Sequence, residues 1–131
     1  MKKNFQTAVT QIGVGNKNFG VGLIDNGRMI KNFSGLSESD ARNAEKFVGG
    51  IYAVILEENI LLPIDETAHV VKISDGNFYT CLNFLNYAQD ENDEFFFSSE
   101  PFETRIAADI AAASANYMLN WLAGDDSDVP F

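Results

Sequence analysis

The sequence predicts an α/β domain over residues 1–123 and a short acidic tail over residues 124–131. Three observations carry this reading. The first third alternates apolar and polar residues between Gly- and Asn-rich turns, the period-2 pattern of strands. Two later stretches repeat apolar residues every three to four positions, the period of a helix with one buried face. Hydrophobic residues make up 46% of a 131-residue chain, enough for one sizeable core.

Phe5 to Gly15 reads as a first strand, Gly15-Asn16-Lys17-Asn18 as turn material and Phe19 to Ile24 as a second strand. Asp25-Asn26-Gly27 is a hairpin signal, because Asn and Gly tolerate the positive φ of a two-residue turn, and Arg28 to Phe33 returns as a third strand. After a loop from Gly35, a helix is expected to start near Ser39 or Asp40, with Ala44, Phe47, Ile51, Val54 and Ile55 on one face. Gly49-Gly50 in its middle lowers helix propensity and implies backbone packed closely on a sheet. Leu61 to Thr67 is a connection, and His69 to Ile73 is a short apolar strand broken by Ser74-Asp75-Gly76-Asn77. Phe78 to Tyr87 is read as a short helix, Ala88 to Glu94 as an acidic loop, and Phe95-Phe96-Phe97 as a last strand or an aromatic patch. Pro101 to Ala123 is the second long helix, with Ile106, Ile110, Ala113, Tyr117 and Trp121 on its face. No internal repeat is visible.

Net charge is −10, unevenly spread. Residues 1–56 hold seven basic and four acidic groups, a net +3, whereas residues 57–131 hold two basic and fifteen acidic groups, a net −13. Phosphate neutralisation would therefore have to use the first half. The single cysteine, Cys81, excludes an internal disulfide, suits a reducing cytoplasm, and reads as a small buried hydrophobe. No apolar run reaches bilayer length, and Met1-Lys2-Lys3-Asn4 lacks the apolar core of a signal peptide, so no membrane association is expected. His69, the one histidine, opens an apolar strand and reads as structural. No Cys–His pair, phosphate-cradling Gly-rich loop or zinc-ligand spacing is evident, and no organic cofactor is expected.

The element order, together with Phe19 to Ile24, Asn43-Ala44-Glu45-Lys46, Ile73-Ser74-Asp75 and Arg105 to Ala111, resembles the ribonuclease H-like fold. That family carries Asn-x-x-Glu, a strand-end Thr-Asp-Ser and Ala-Asp-x-Leu-Ala at these places. The resemblance implies a mixed sheet with flanking helices; the alternative, a five-stranded OB-like barrel, accommodates two long helices poorly. It also implies four carboxylates holding two Mg²⁺ ions. Asp75 and Asp109 fall on two of those positions, and Glu45 on a third if the helix register slips by one residue; otherwise Lys46 stands there. No acid precedes Asp25, so the first-strand ligand has no counterpart. The incomplete set points to a binding scaffold, with Mg²⁺ required only if Glu45, Asp75 and Asp109 form a nuclease site.

Binding residues are expected in the basic half. Lys3, Lys17, Arg28 and Lys31 interleave with Phe5, Phe19 and Phe33, as cations and stacking rings do in single-strand binders. The tail is a different kind of element. Asp125, Asp126 and Asp128 precede Val129-Pro130-Phe131, which combines charge steering, a stiff Pro and an apolar anchor. This order resembles the acidic C-terminal tip of bacterial single-stranded-DNA-binding proteins, although the long linker of that family is reduced here to Ala123-Gly124. The resemblance implies that residues 125–131 recruit replication, recombination or repair proteins. The expectation is a phage-like DNA-replication or recombination accessory protein that binds single-stranded DNA, with homo-oligomerisation left open. The alternatives are an Mg²⁺-dependent nuclease and an acidic decoy without nucleic-acid affinity.

Overall fold

The structure is a computed structural model and describes residues 5–62, 64–86 and 93–124. Phe5–Gln11 (β1), Phe19–Asp25 (β2) and Arg28–Leu36 (β3) form an antiparallel meander, in the order β1-β2-β3. Asn26 and Gly27, both at positive φ, make the turn between β2 and β3 that the sequence signals. β1 ends earlier than expected because the backbone turns to positive φ at Gly13 and Gly15. Within β2, Val21 and Leu23 are fully buried on one face, while Gly22 lies on the other beneath Thr10 and Met29.

Glu38–Glu57 (α1) follows, its first turn capped by Ser37, whose hydroxyl accepts from the Asp40 amide. Its buried stripe, Ala41, Ala44, Phe47, Val48, Ile51 and Ile55, lies on β1 and β2. His69–Lys72 (β4), Phe78–Asn86 (β5) and Asp93–Ser98 (β6) form a second antiparallel meander, and Arg105–Ala123 (α2) covers β4 and β5.

Several expectations are corrected. Phe78–Asn86, within the stretch expected to be a short helix, is a strand: Thr80, Leu82 and Phe84 alternate into the core, so period 2 governs this run. Residues 87–92, most of the expected acidic loop, lie outside the described residues. The buried face of α2 is also rotated from the expected one. Ile106 is 71% exposed, and the helix buries Ala107, Ala108, Ala111, Ala115, Met118 and Leu122 instead, because alanines admit close approach of neighbouring elements. Gly49 does pack against β1, near Thr7, but Gly50 faces open space.

The mixed sheet expected from the ribonuclease H resemblance is replaced by two separate three-stranded antiparallel sheets, and the described strands close no barrel. The chain does contain a repeat, at the level of architecture. It is two β-β-β-α units. Counted from their caps Ser37 and Thr104, the six buried positions of α1 fall on Ala108, Ala111, Ser114, Ala115, Met118 and Leu122, all buried in α2. Phe19 pairs with buried Leu36 in one unit, as Phe78 bridges buried Phe102 in the other. The helices pack on each other, and each reaches the last strand of the opposite sheet, α2 to β3 and α1 to β6. One continuous core results.

Candidate nucleic-acid interface

The contact of α2 with β3 creates a seam that brings together half of the first unit's described expected residues. The β2–β3 register skips one position between Leu23 and Ile24, leaving Ile30 as an extra residue in β3. Such a bulge re-aims side chains. Ile30 here lines an open pocket of about 430 Å³ with Asp25, Asn26, Arg28 and Trp121. One turn back along α2, Tyr117 meets Phe33 edge-on, with ring centroids 5.9 Å apart. The Lys31 ammonium stands 5.7 Å from the Phe33 centroid and 5.8 Å from that of Tyr117. Arg28, Lys31 and Phe33 from β3 thus lie beside Tyr117 and Trp121 from α2.

Cations on this seam are available. The described ion pairs are Arg42–Glu38 at 2.7 Å and Arg105–Asp109 at 3.7 Å, so no described carboxylate pairs with Arg28 or Lys31. Each ring face under Lys31 contributes about 0.5–1 kcal/mol of cation–π attraction at an exposed site, too little to prevent the ammonium from meeting a phosphate.

Other expected residues fall elsewhere. Phe5 is buried against Tyr52, with centroids 4.9 Å apart, and offers no stacking face. Phe19 is half-buried against the core at the opposite end of β2, and Lys17 lies exposed in the β1–β2 loop at that same end. Lys3 and the tail residues Asp125, Asp126, Asp128, Val129, Pro130 and Phe131 lie outside the described residues. The sequence places Tyr117 and Trp121 on a helix face and no further; their place in the seam depends on which strand α2 crosses, which no local pattern encodes.

The carboxylates of the nuclease reading are dispersed. Glu45 accepts from the Thr7 hydroxyl at 2.5 Å, Asp75 accepts from the Asn77 amide within its own turn, and Asp109 pairs with Arg105 on the surface of α2. Among the described residues no three His, Cys, Asp or Glu side chains gather into a metal-binding group. Asn43, expected as part of the helix motif, instead ties α1 to the main chain of Glu100, at 2.7 and 2.9 Å.

A Cys–His contact, not expected from spacing, arises from cross-strand pairing. His69 and Cys81 are directly opposite in β4 and β5, with Nε2 and Sγ 3.3 Å apart. Donation from Nδ1 to the Thr67 carbonyl, at 3.4 Å, leaves Nε2 to accept the thiol proton. Burial pushes the Cys81 thiol above its ordinary pKa, so the pair holds a neutral thiol and not an activated nucleophile.

No described helix is long and apolar enough to cross a membrane. Comparison of the chain with family models, curated proteins and solved structures gives no match.

Proposed function

We propose that this protein binds single-stranded DNA along the β3–α2 seam and recruits replication or recombination proteins through the Asp-rich Val-Pro-Phe segment at residues 125–131. One observation carries the reading: Arg28 and Lys31, without described carboxylate partners, alternate with the rings of Phe33, Tyr117 and Trp121 along one surface. Bases stack on rings while cations follow the phosphates, an arrangement tolerant of sequence. The tail would act separately, its aspartates steering it to a basic pocket on a partner.

Anisotropy of a labelled oligonucleotide, titrated with protein at low and high salt, tests this directly. Binding should weaken with salt, and Lys31→Ala should lower affinity roughly tenfold, the combined loss of a phosphate contact and of ordering on the rings. Removal of Pro130-Phe131 should leave DNA affinity unchanged and abolish partner capture. Absence of binding at low salt would overturn the seam. It would favour a second reading, supported by the net charge of −10, in which the protein occupies a basic surface on another protein.

A further inference from the structure

The two described sheets have four edges, and three of them carry features that discourage a further strand. β3 has its bulge at Ile30 together with Arg28 and Lys31, β4 is four residues long and ends on Lys72, and β6 begins with Asp93 and Glu94. β1 has none of these: it holds no charge and no proline, and its register with β2 is unbroken. The Ile12 amide donates to the Asn18 carbonyl at 2.7 Å, continuing the β1–β2 ladder, whereas the Phe5 amide turns away from β2 to the Tyr52 hydroxyl at 3.4 Å. Bonding direction alternates along a strand, so the even-numbered residues of β1 bond to β2, and the amides and carbonyls of Thr7, Val9 and Gln11 point outward. Among the described residues no strand meets them.

We propose that the chain forms a two-fold dimer by antiparallel pairing of β1 with β1 of a second copy, in a register centred on Val9. Thr7 then faces Gln11 of the second copy, and Val9 faces Val9. Each such pair exchanges two hydrogen bonds, about six in all, and the Phe5 amide keeps its Tyr52 partner. The same register accounts for three apolar side chains that one chain alone leaves uncovered. Glu45 and Gly49 stand beside Thr7, and Tyr52 beside Phe5, so they mark the flank of α1 along this edge. Leu56, one turn past Tyr52, continues that flank and is 55% exposed. Phe5 comes opposite Gly13 of the second copy, whose neighbours Ile12 and Val14 are 59% and 89% exposed and thus arrive at the Leu56 end of the first. Two-fold symmetry repeats this cluster at the other end of the paired strands. Because α1 lies over β1 and β2, the two α1 helices come about two strand spacings apart, roughly 10 Å, the distance of packed helices. The paired strands set no like charges against each other, although each chain carries a net −10. Both β3–α2 seams lie at the outer edges of the resulting six-stranded sheet, so the dimer stands independently of what they bind.

Sedimentation velocity of the full chain over a dilution series reads the association, and amide hydrogen exchange on the same samples locates it. A species of twice the 14.5 kDa chain mass should grow as concentration rises, with the Thr7, Val9 and Gln11 amides gaining protection in step. Val14→Asp and Leu56→Asp, both at exposed positions, should each raise the dimer dissociation constant roughly tenfold or more, the effect of a carboxylate in an apolar contact. Ile106→Asp adds the same charge at an exposed site on α2 and should change it by less than about threefold. Val14→Asp combined with Leu56→Lys should recover much of the loss, because the two positions meet across the two-fold. A monomer at every concentration would overturn the dimer and leave β1 open to a strand from another protein. A dimer that gains no protection at these three amides, or that Val14→Asp and Ile106→Asp weaken equally, would overturn pairing through β1.

Discussion

Cys81 and His69 show how a residue acquires chemistry from a neighbour that is distant in sequence. Sγ sits 3.3 Å from Nε2 because β4 and β5 pair in this register. Burial keeps the proton on the thiol in the folded protein at pH values where the thiol of an unfolded chain is already losing it. The stability linked to Cys81 is therefore fully present below the ordinary thiol range and is lost as pH rises toward the raised value. Denaturant titrations at pH 7 and pH 10 should show a loss of stability that is smaller in Cys81→Ala than in the unsubstituted protein. Equal losses in the two proteins would mean that the thiol is not protected by the fold.

At the scale of the element, Gly49 and Gly50 separate two causes that the sequence runs together. A Cβ on Gly49 would lie 3.0 Å from the Thr7 hydroxyl, so its absence lets α1 approach β1. A methyl group on Gly50 would meet nothing within 4 Å, and neither glycine has positive φ. Gly50→Ala should stabilise the protein by about 0.5–1 kcal/mol, the helix-propensity difference. Gly49→Ala should gain less, because Thr7 must shift to admit the methyl. Chemical denaturation of both variants measures the contrast, and an equal gain would show that α1 does not depend on this close approach. Locally coded elements are legible in the sequence: the Asn26-Gly27 turn, the three strands of the first meander, and both long helices. β5 is not, because Phe78 to Asn86 is apolar on both faces: Cys81 is buried on one side, and Thr80, Leu82 and Phe84 on the other. Continuous apolarity erases the period that distinguishes a short strand from a short helix. The stripe of α2 is obscured for a related reason: large Ile106 outweighs small alanines in a hydrophobicity pattern, yet the alanines face the core. The seam itself is half legible. Arg28, Lys31 and Phe33 can be named from charge and ring patterning, whereas Tyr117 and Trp121 join them only through the crossing of α2 over β3.

Across the whole molecule, the two units share a backbone plan but not a surface. The positions of Tyr117 and Trp121, counted from the helix caps, are Gly50 and Val54 in α1. Lys31 pairs with Leu23, and in the corresponding place Phe97 pairs with Leu82. At these positions the second unit therefore has neither the cation nor the helix aromatics of the first, and its strands instead stack Phe84 with Phe97 at 6.1 Å. One strand per chain should bind, on the first unit. Net charge of −10 opposes any polyanion, so a local site must be distinguished from a general change in field. Two double variants do this with the same change in net charge. Arg28→Glu with Lys31→Glu reverses the seam, whereas Lys72→Glu with Arg105→Glu reverses exposed cations of the second unit. If phosphates contact the seam, the first pair should reduce single-strand affinity at least a hundredfold and flatten the salt dependence by about 1.4, at about 0.7 per lost phosphate contact. The second pair should change affinity by less than about threefold at physiological salt, where the Debye length of about 8 Å screens distant charges. Equal losses from both pairs would place the binding energy in the overall field and remove the seam as its seat.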